Sequence, residues 1–330
     1  MKYKFITIMH NLKFDSIRNK GVRFFPGARF SNRKEILNEL FNSDLMKYTV
    51  GIHSINEFEG KVYCYVTSEL ENIKTKEEMD KLGSSLTFYL LRIVQSFLTE
   101  LWEVKDNNIY VRDGFLVAYD DIIEDGFTYK ASLSAIFSNS TLYDDETLYT
   151  RSELDIAIEK FLDNAKEKNI FDKEFDYKTP TDEIFFKNKK STRMERAYYF
   201  VLSARGSSTL PMKIVYYCTA LECLFSTAKT EMNYRIAERV ALMLGDNESE
   251  KRKYFNLIKK TYDVRSTIVH GSSLKGKSEE LEDVSKGLDQ VMRKLLTAKN
   301  DIFDKEDKEM ENYFLDLVFD SGVKDDRFFV

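Results

Sequence analysis

The chain has 330 residues, of which 43% are hydrophobic and 14% aromatic, with only 3 prolines and 13 glycines. This composition excludes general disorder and a turn-rich all-β fold, and the length favours two domains that each bury a core. The net charge of −5 is unevenly divided, because residues 189–300 carry 21 Lys and Arg against 13 Asp and Glu. This basic segment is either a surface that faces a polyanion or a helical region with lysines on its solvated faces.

The three cysteines, Cys64, Cys218 and Cys223, are odd in number and widely spaced. This pattern argues against a disulfide framework and against a zinc site, and it fits a reducing compartment. The first residues carry no signal-peptide cleavage pattern, and every apolar run is shorter than the roughly 18 residues of a membrane span. We therefore expect a cytoplasmic protein that uses no membrane, metal or cofactor.

Residues 1–170 are predicted to form a mixed α/β domain. Segments rich in Tyr, Val, Phe and Ile between turn residues are typical of strands, and apolar residues at helical spacing indicate helices. The predicted strands lie within residues 61–70, 107–119 and 126–137, and the predicted helices within residues 32–41, 81–104 and 152–168. Because this half has no phosphate-binding glycine loop and no metal-ligand cluster, we assign it as a sensor or regulatory domain of unspecified ligand.

Residues 171–190 contain no clean periodicity and include Pro180, so they are predicted to be a boundary segment. From residue 191 to residue 330 the pattern is almost entirely helical. The predicted helices cover residues 192–205, 207–226, 233–244, 249–271, 278–300 and 308–319, the last being acidic. The expected fold class is thus an α+β domain followed by an all-α bundle.

The helix predicted over residues 249–271 carries an arginine in line with apolar residues. Phe255, Ile258, Tyr262 and Arg265 recur at spacings of 3, 4 and 3, so the arginine lies at the end of an apolar stripe. Because an unpaired buried charge is costly, its guanidinium needs an anion, a carboxylate partner or a subunit interface.

A second, polar stripe on this helix consists of Lys259, Asp263, Ser266 and His270. His270 precedes Gly271, which favours the end of a helix, and a histidine there interacts favourably with the helix C-terminus without any chemistry. Five residues separate His270 from Arg265, a rotation of about 140° that puts them on different faces of a straight helix. Either the helix ends or distorts between them, or a second copy of the chain completes the site.

Three sequence blocks occur along the helical half. They are ALECLFS over residues 220–226, RIAERVALML over residues 235–244 and YDVRSTIVHG over residues 262–271. The last contains an arginine, a polar residue and then, after three more residues, a histidine. In their order and approximate spacing, these blocks resemble the Apea-like family of HEPN domains, and the resemblance covers about residues 190–300.

The resemblance implies a HEPN-type helical bundle that forms a homodimer, with the two Arg–His motifs meeting at the seam. Many members of this family are metal-independent RNA endonucleases of antiviral, abortive-infection and toxin systems. Others have lost activity and only bind or dimerise. The motif residues of the family correspond here to Arg265, Ser266 and His270, and its upstream glutamate corresponds to Glu222.

Histidine and arginine suit RNA cleavage because RNA carries its own nucleophile, the ribose 2′-hydroxyl. Histidine, with an ordinary pKa of about 6.5, can act as base or acid near neutral pH. Arginine offers a planar fork of donors to the phosphate. We therefore expect a 2′,3′-cyclic phosphate product without a metal, and no cleavage of DNA, which lacks the 2′-hydroxyl.

The remaining candidate residues have two interpretations each. Ser266 either orients His270 or contacts the phosphate, or its hydroxyl bonds to the carbonyl one turn earlier. For Glu222 we favour an ion pair with Arg235 or Arg239 on the next helix over a part in catalysis, and Asp263 is a candidate supporting residue. Five basic residues either follow an RNA backbone or form a solvated helix face. They are Lys251, Arg252, Lys253, Lys259 and Lys260.

Three functional hypotheses follow. The first is a ribonuclease of a defence or toxin system, regulated by an N-terminal domain that recognises a phage-derived or host ligand. The second is a catalytically inert HEPN module that dimerises and binds RNA or a protein. The third is an unrelated helical scaffold in which Arg265 and His270 are purely structural.

Overall fold

The computed structural model describes residues 1–17, 20–25, 27–70, 73, 75–119, 126–167, 191–228, 230–273 and 278–320. These residues divide into two compact units. Of the described residues, the first unit contains 1–137 and 143–167, and the second, helical unit contains 138–142 and 191–320. The predicted boundary segment, residues 171–190, lies outside the described residues.

The first unit is built on an antiparallel sheet. The strands are β1 (Lys2–Met9), β2 (Leu12–Phe14), β3 (Val22–Phe25), β4 (Ala28–Ser31), β5 (Val62–Glu69), β6 (Asp113–Tyr119), β7 (Phe127–Ser132) and β8 (Thr147–Tyr149). Within the described residues, six of them pair antiparallel in the order β3-β4-β5-β1-β6-β7. The short strands β2 and β8 form a separate parallel pair. An α+β unit followed by helices was predicted, and this coarse architecture is confirmed.

Both faces of the sheet are covered by helices. The helices of this unit are α1 (Lys34–Leu40), α2 (Asp44–Val50), α3 (Ile52–Glu57), α4 (Lys76–Val104) and α5 (Arg151–Glu167). On one face, Phe5 lies opposite Val66 and Leu116, and all three are buried in the core that includes α4 and α5. On the other face, Ile6 and Ile8 pack in a second core with side chains of α1, α2 and α3. The central strand β1 is therefore buried on both sides.

Two predicted strands are shorter than expected. The strand predicted over residues 107–119 begins only at Asp113. Before it, Tyr110 forms an isolated antiparallel bridge with His10, and the side chains of Asn107 and Asn108 make hydrogen bonds outside the sheet. The Asn107 amide donates to the Tyr149 hydroxyl at 3.0 Å, and its oxygen accepts from the backbone N–H of Ile109 at 3.1 Å. The strand predicted over residues 126–137 ends at Ser132.

The helical unit contains every helix that the sequence pattern predicted in this half. The helices are α6 (Arg193–Arg205), α7 (Leu210–Phe225), α8 (Met232–Leu244), α9 (Glu248–Val269), α10 (Ser278–Ala298) and α11 (Asp307–Asp320), with a short 3₁₀ helix at Asp301–Asp304. Helix α7 packs against α6, α9 and α10, and α8 packs against α9. Among the described residues, no helix has the length and the apolar content needed to cross a membrane.

Residues 138–142 belong to the helical unit although they precede it in the chain by about 50 residues. The Ser138 hydroxyl donates to the carbonyl of Arg205 at 2.7 Å, and the Ser285 hydroxyl on α10 donates to the carbonyl of Ser140 at 2.6 Å. The ammonium of Lys213, which is fully buried, donates to the carbonyl of Ser138 at 3.3 Å. The interior of this unit is thus completed by a segment distant in sequence.

Candidate functional site

Helix α9 continues without interruption past Arg265 and ends at Val269. It begins at the N-cap Asn247, whose side chain accepts from the backbone N–H of Glu250 at 3.0 Å. At the end of the helix, Gly271 has a φ of +68°. Its N–H donates to the carbonyl of Ile268 at 3.0 Å, and the N–H of Ser272 donates to the carbonyl of Thr267 at 2.9 Å. These two bonds form a Schellman motif with His270 as the C-cap. The helix therefore stays regular from Arg265 to its last residue, Val269, and His270 follows directly as the C-cap.

Arg265 forms an ion pair with Glu222 on α7. Its Nη2 atom lies 3.3 Å from Oε1 and 3.4 Å from Oε2 of that carboxylate. The side chain of Arg265 is 32% exposed and that of Glu222 is 19% exposed, so the pair lies at the edge of the helix interface. The guanidinium of Arg265 lies at the end of the apolar stripe, where a charge needs a partner, and Glu222 is that partner.

The prediction that Glu222 pairs with Arg235 or Arg239 is wrong. Both arginines pair instead with Glu311 on α11, at 2.9 Å and 3.2 Å. Arg239 is only 4% exposed, and its guanidinium also donates to the backbone carbonyl of Phe225. Arg235 and Arg239 therefore connect α8 to α11 and take no part in the pairing of α7 with α9.

Burial dominates the electrostatics around Glu222. Loss of water raises the pKa of its carboxyl group, and the nearby Arg265 offsets only part of this effect. The buried Tyr262 hydroxyl lies close enough for the two groups to influence each other, although its geometry falls short of a hydrogen bond. The pKa of Tyr262 is raised, first by burial and then by the Glu222 charge. Arg265 keeps one donor, Nε–H, buried without an acceptor among the described residues.

The other motif residues face solvent. Asp263, Ser266 and His270 are exposed, as a polar stripe on this helix requires. Within the described part of the chain, neither the Ser266 hydroxyl nor the His270 ring makes a hydrogen bond or ion pair. The hydroxyl that bonds back to the preceding turn belongs to Thr267, which donates to the carbonyl of Asp263 at 2.9 Å. Ser266 therefore does not orient His270 in one chain, and it remains available to a ligand.

The five candidate RNA-binding residues lie along the same helix, and all are exposed or half-buried. Arg252 pairs with Glu248 one turn earlier at 2.7 Å, a solvent-exposed contact of little strength. Lys251, Lys253, Lys259 and Lys260 make no ion pair with another described residue. A solvated face and a track for a phosphate backbone both remain compatible with this geometry.

Sequence reasoning missed two members of the cluster around Arg265. Cys218 lies one turn before Glu222 on α7, and burial raises the pKa of its thiol. The sequence pattern shows Tyr262 only as part of the apolar stripe, although its hydroxyl lies near enough to Glu222 for that charge to raise its pKa. The signal available was the spacing of Cys218 to Glu222 and of Tyr262 to Arg265, which puts each pair on one helix face. Among the described residues, no three His, Cys, Asp or Glu side chains converge as metal ligands.

Comparison of the chain with protein-family models, with curated proteins and with solved structures finds no match. The resemblance to the HEPN family therefore depends on the three sequence blocks. In the structure these blocks fall on α7, α8 and the end of α9. The blocks that contain Glu222 and Arg265 are in contact through that ion pair.

Proposed function

We propose that this chain is a metal-independent RNA endonuclease of an antiviral or toxin system, with a site shared between two copies. The observation that carries the proposal is the arrangement at the end of α9. A partly exposed arginine is held in place by Glu222, and an exposed histidine without a described partner follows five residues later. A rotation of about 140° separates them on a regular helix, so a second copy is needed to bring a His270 to an Arg265.

The chemistry of these side chains matches the needs of RNA cleavage. One imidazole removes the proton from the ribose 2′-hydroxyl, and the second, from the other copy, protonates the departing 5′-oxygen. The Arg265 guanidinium stabilises the negative charge that accumulates on the phosphate. Glu222 acts here as a positioning residue, since it fixes the guanidinium from the side of α7. The exposed Ser266 hydroxyl is available to the scissile phosphate.

A second candidate function is a non-catalytic module that dimerises and binds RNA or a protein. The ion pair between Arg265 and Glu222 favours it, because this contact alone explains an arginine at the edge of a helix interface. His270 likewise occupies a C-cap position in which a histidine is stabilising without chemistry.

The experiment that tests the ribonuclease compares purified full-length variants on one RNA in the presence of EDTA. We expect His270→Ala to lower the cleavage rate by about a hundredfold or more, the usual loss when a general acid or base is removed. The matched control is His53→Ala, an exposed histidine of the first unit, which should cut as the wild type does. Products should end in a 2′,3′-cyclic phosphate, and a strand with 2′-deoxyribose at the cut position should stay intact.

Arg265→Lys separates catalysis from folding. It keeps a cation beside the half-buried Glu222 carboxylate, but it loses the planar fork of donors. We expect the thermal unfolding midpoint to stay close to that of the wild type while cleavage is lost. If His270→Ala and Arg265→Lys both retain the wild-type cutting pattern, the site is wrongly assigned. A wild type that binds RNA without cutting it, and that does not arrest growth when expressed, would favour the non-catalytic module.

A further inference from the structure

A cavity of about 430 Å³ lies in the first unit, on the sheet face that α1 covers. Its walls come from β1, β4, β5, α1 and the turn before β3, and three of its residues, Lys4, Lys20 and Arg29, are cationic. A volume of this size is in the range of pockets that hold small organic ligands. The cavity lies within one unit and has no residue in common with the Arg265 site.

The cavity arises where the helical cover of the sheet stops. Side chains of alternate residues in a strand share one face, so Lys4 lies on the same face of β1 as Ile6 and Ile8. Ile6 and Ile8 are buried under α1, α2 and α3, whereas Lys4 is only half-buried. On β5 the exposed Thr67 lies directly opposite Lys4, and Tyr65 lies opposite Arg29 of β4. On this face of the sheet, the side chains thus change from apolar, beneath the helices, to polar and cationic, beside the cavity.

The charges in the cavity do not balance. Glu39 is the one carboxylate among the described lining residues, against three cations. None of Lys4, Lys20 and Arg29 forms an ion pair with another described residue, so the cavity carries an excess of positive charge. Like charges that line one cavity repel each other, and a bound anion relieves this repulsion.

The turn that carries Lys20 is held at the edge of the cavity. The Arg29 guanidinium donates to the carbonyl of Lys20 at 2.8 Å. The next residue, Gly21, has a φ of +67°, and a Cβ atom at this position would lie 2.8 Å from the carbonyl oxygen of Phe30. Only glycine fits there, so the backbone fixes the turn that holds Lys20 beside Arg29.

Three of the other lining residues carry aromatic or aliphatic side chains. They are Tyr65, the cross-strand neighbour of Arg29, and Ile36 and Leu40 of α1. Tyr65 is half-buried, and burial raises the pKa of its phenol, so the ring faces the cavity in its neutral form at physiological pH. A cavity that combines cations with aromatic and aliphatic side chains suits a ligand with an anionic group and a carbon skeleton.

We propose that this cavity binds a small organic phosphate, with its phosphate among Lys4, Lys20 and Arg29 and its carbon skeleton against Tyr65 and Ile36. Lysine and arginine are the usual protein partners of phosphate, and arginine adds directed hydrogen bonds to the charge. The ligand class is therefore that of sugar phosphates and nucleoside monophosphates.

Isothermal titration of the full-length protein tests this site, with the four nucleoside 5′-monophosphates, ribose 5-phosphate and inorganic phosphate as probes. We expect at least one organic phosphate to bind more tightly than inorganic phosphate, and to bind more weakly as the salt concentration rises. Arg29→Gln should weaken that binding about tenfold or more, as expected for the loss of a charged hydrogen-bond donor. The matched control Arg151→Gln removes an exposed arginine of α5 and should leave the affinity unchanged.

A second variant protects the test from misfolding. Thr67→Glu adds a carboxylate at an exposed position opposite Lys4, where no described contact of the side chain is lost. This variant should also bind the organic phosphate more weakly, while its thermal unfolding midpoint stays close to that of the wild type. The site is disproved if no organic phosphate binds at millimolar concentration, if inorganic phosphate binds equally well, or if Arg29→Gln and Thr67→Glu bind as the wild type does. None of these results depends on RNA cleavage.

Discussion

Glu222 is held in conditions that disfavour its charge. Burial raises the pKa of its carboxyl group above the ordinary value of 4.5, and Arg265 offsets this only in part. The folded protein therefore binds this proton more tightly than the unfolded chain does. The stability that Glu222 contributes is fully present below pH 4.5 and is lost as the pH rises through the raised pKa of the folded state.

We predict that the free energy of unfolding of the wild type, relative to Glu222→Gln, declines as the pH is raised from 4.5 and then levels off. Glutamine keeps the shape of the side chain and does not titrate, so the difference isolates this carboxyl group. Urea unfolding at a series of pH values measures it. If the free energy of unfolding of the wild type, relative to Glu222→Gln, instead rises with pH over this range, the effect of Arg265 on the pKa of Glu222 is larger than that of burial.

The partner of Glu222 illustrates what sequence alone could predict at the level of residues. Arg235 and Arg239 are the nearest arginines downstream, but the true partner, Arg265, lies 43 residues away. The choice depends on which face α7 turns towards α8 and α9, and this is decided by packing of whole helices. The cap position of His270 was predictable, because Gly271 is a local signal for the end of a helix.

Among the helices, α11 is joined to α8 by the Glu311 carboxylate and by the Phe314 ring, over which the Arg239 guanidinium lies at 5.1 Å from the centroid. Glu311 accepts from the Thr227 hydroxyl and pairs with Arg235 and Arg239. The Thr227 hydrogen bond is the main cause that lowers the pKa of Glu311, followed by Arg239. The pH dependence is therefore opposite to that of Glu222. The stability that Glu311 contributes is present above pH 4.5 and is lost as the pH falls through the lowered pKa of the folded state.

We predict that Glu311→Gln destabilises the protein at neutral pH and that its difference from the wild type disappears in acid. The variant leaves Arg239, which is 4% exposed, without its carboxylate, so α11 should loosen from α8. Hydrogen exchange measures this as faster exchange in α11 than in the wild type at neutral pH. The control Asp316→Asn changes an exposed acidic residue of the same helix and should leave exchange unaltered.

The helices of the second unit were predictable because each carries local information. Thr192 and Glu195 form a capping box at the start of α6, Pro211 lies in the first turn of α7, and apolar residues recur at helical spacing. Strand β1 was missed because it is buried on both faces, which removes the alternation that marks a strand. Helices α2 and α3, of 7 and 6 residues, were missed, whereas α1, also of 7 residues, was predicted because Ile36, Leu37 and Leu40 recur at helical spacing.

For the whole molecule, long-range contacts limit what a sequence predicts. The helical unit includes residues 138–142, where the Ser285 hydroxyl reaches the carbonyl of Ser140 across 145 residues. Neither residue type nor spacing marks this contact, because its two groups come together only when α10 packs in place. The cavity of the first unit was invisible for the same reason, since Lys4, Arg29 and Tyr65 lie on three strands.

The proposed shared site makes a prediction about the assembly. If one His270 acts as base and the other as acid, a dimer with one His270→Ala chain lacks one of the two roles and is inactive. In a mixture of equal amounts of wild-type and variant chains that pair at random, about one quarter of the dimers are fully wild type. Cleavage should therefore fall to about one quarter, whereas sites that work independently in each chain would retain about one half.

Co-expression with two different affinity tags, followed by sequential purification, isolates the mixed dimer directly. We expect this dimer to cut RNA no faster than the doubly substituted one, and a mixed dimer with His53→Ala to cut as the wild type does. Light scattering at micromolar concentration must show a mass of two chains. A mixed dimer with half of the wild-type rate would place a complete site in each chain, and His270 would then need a partner other than the second histidine.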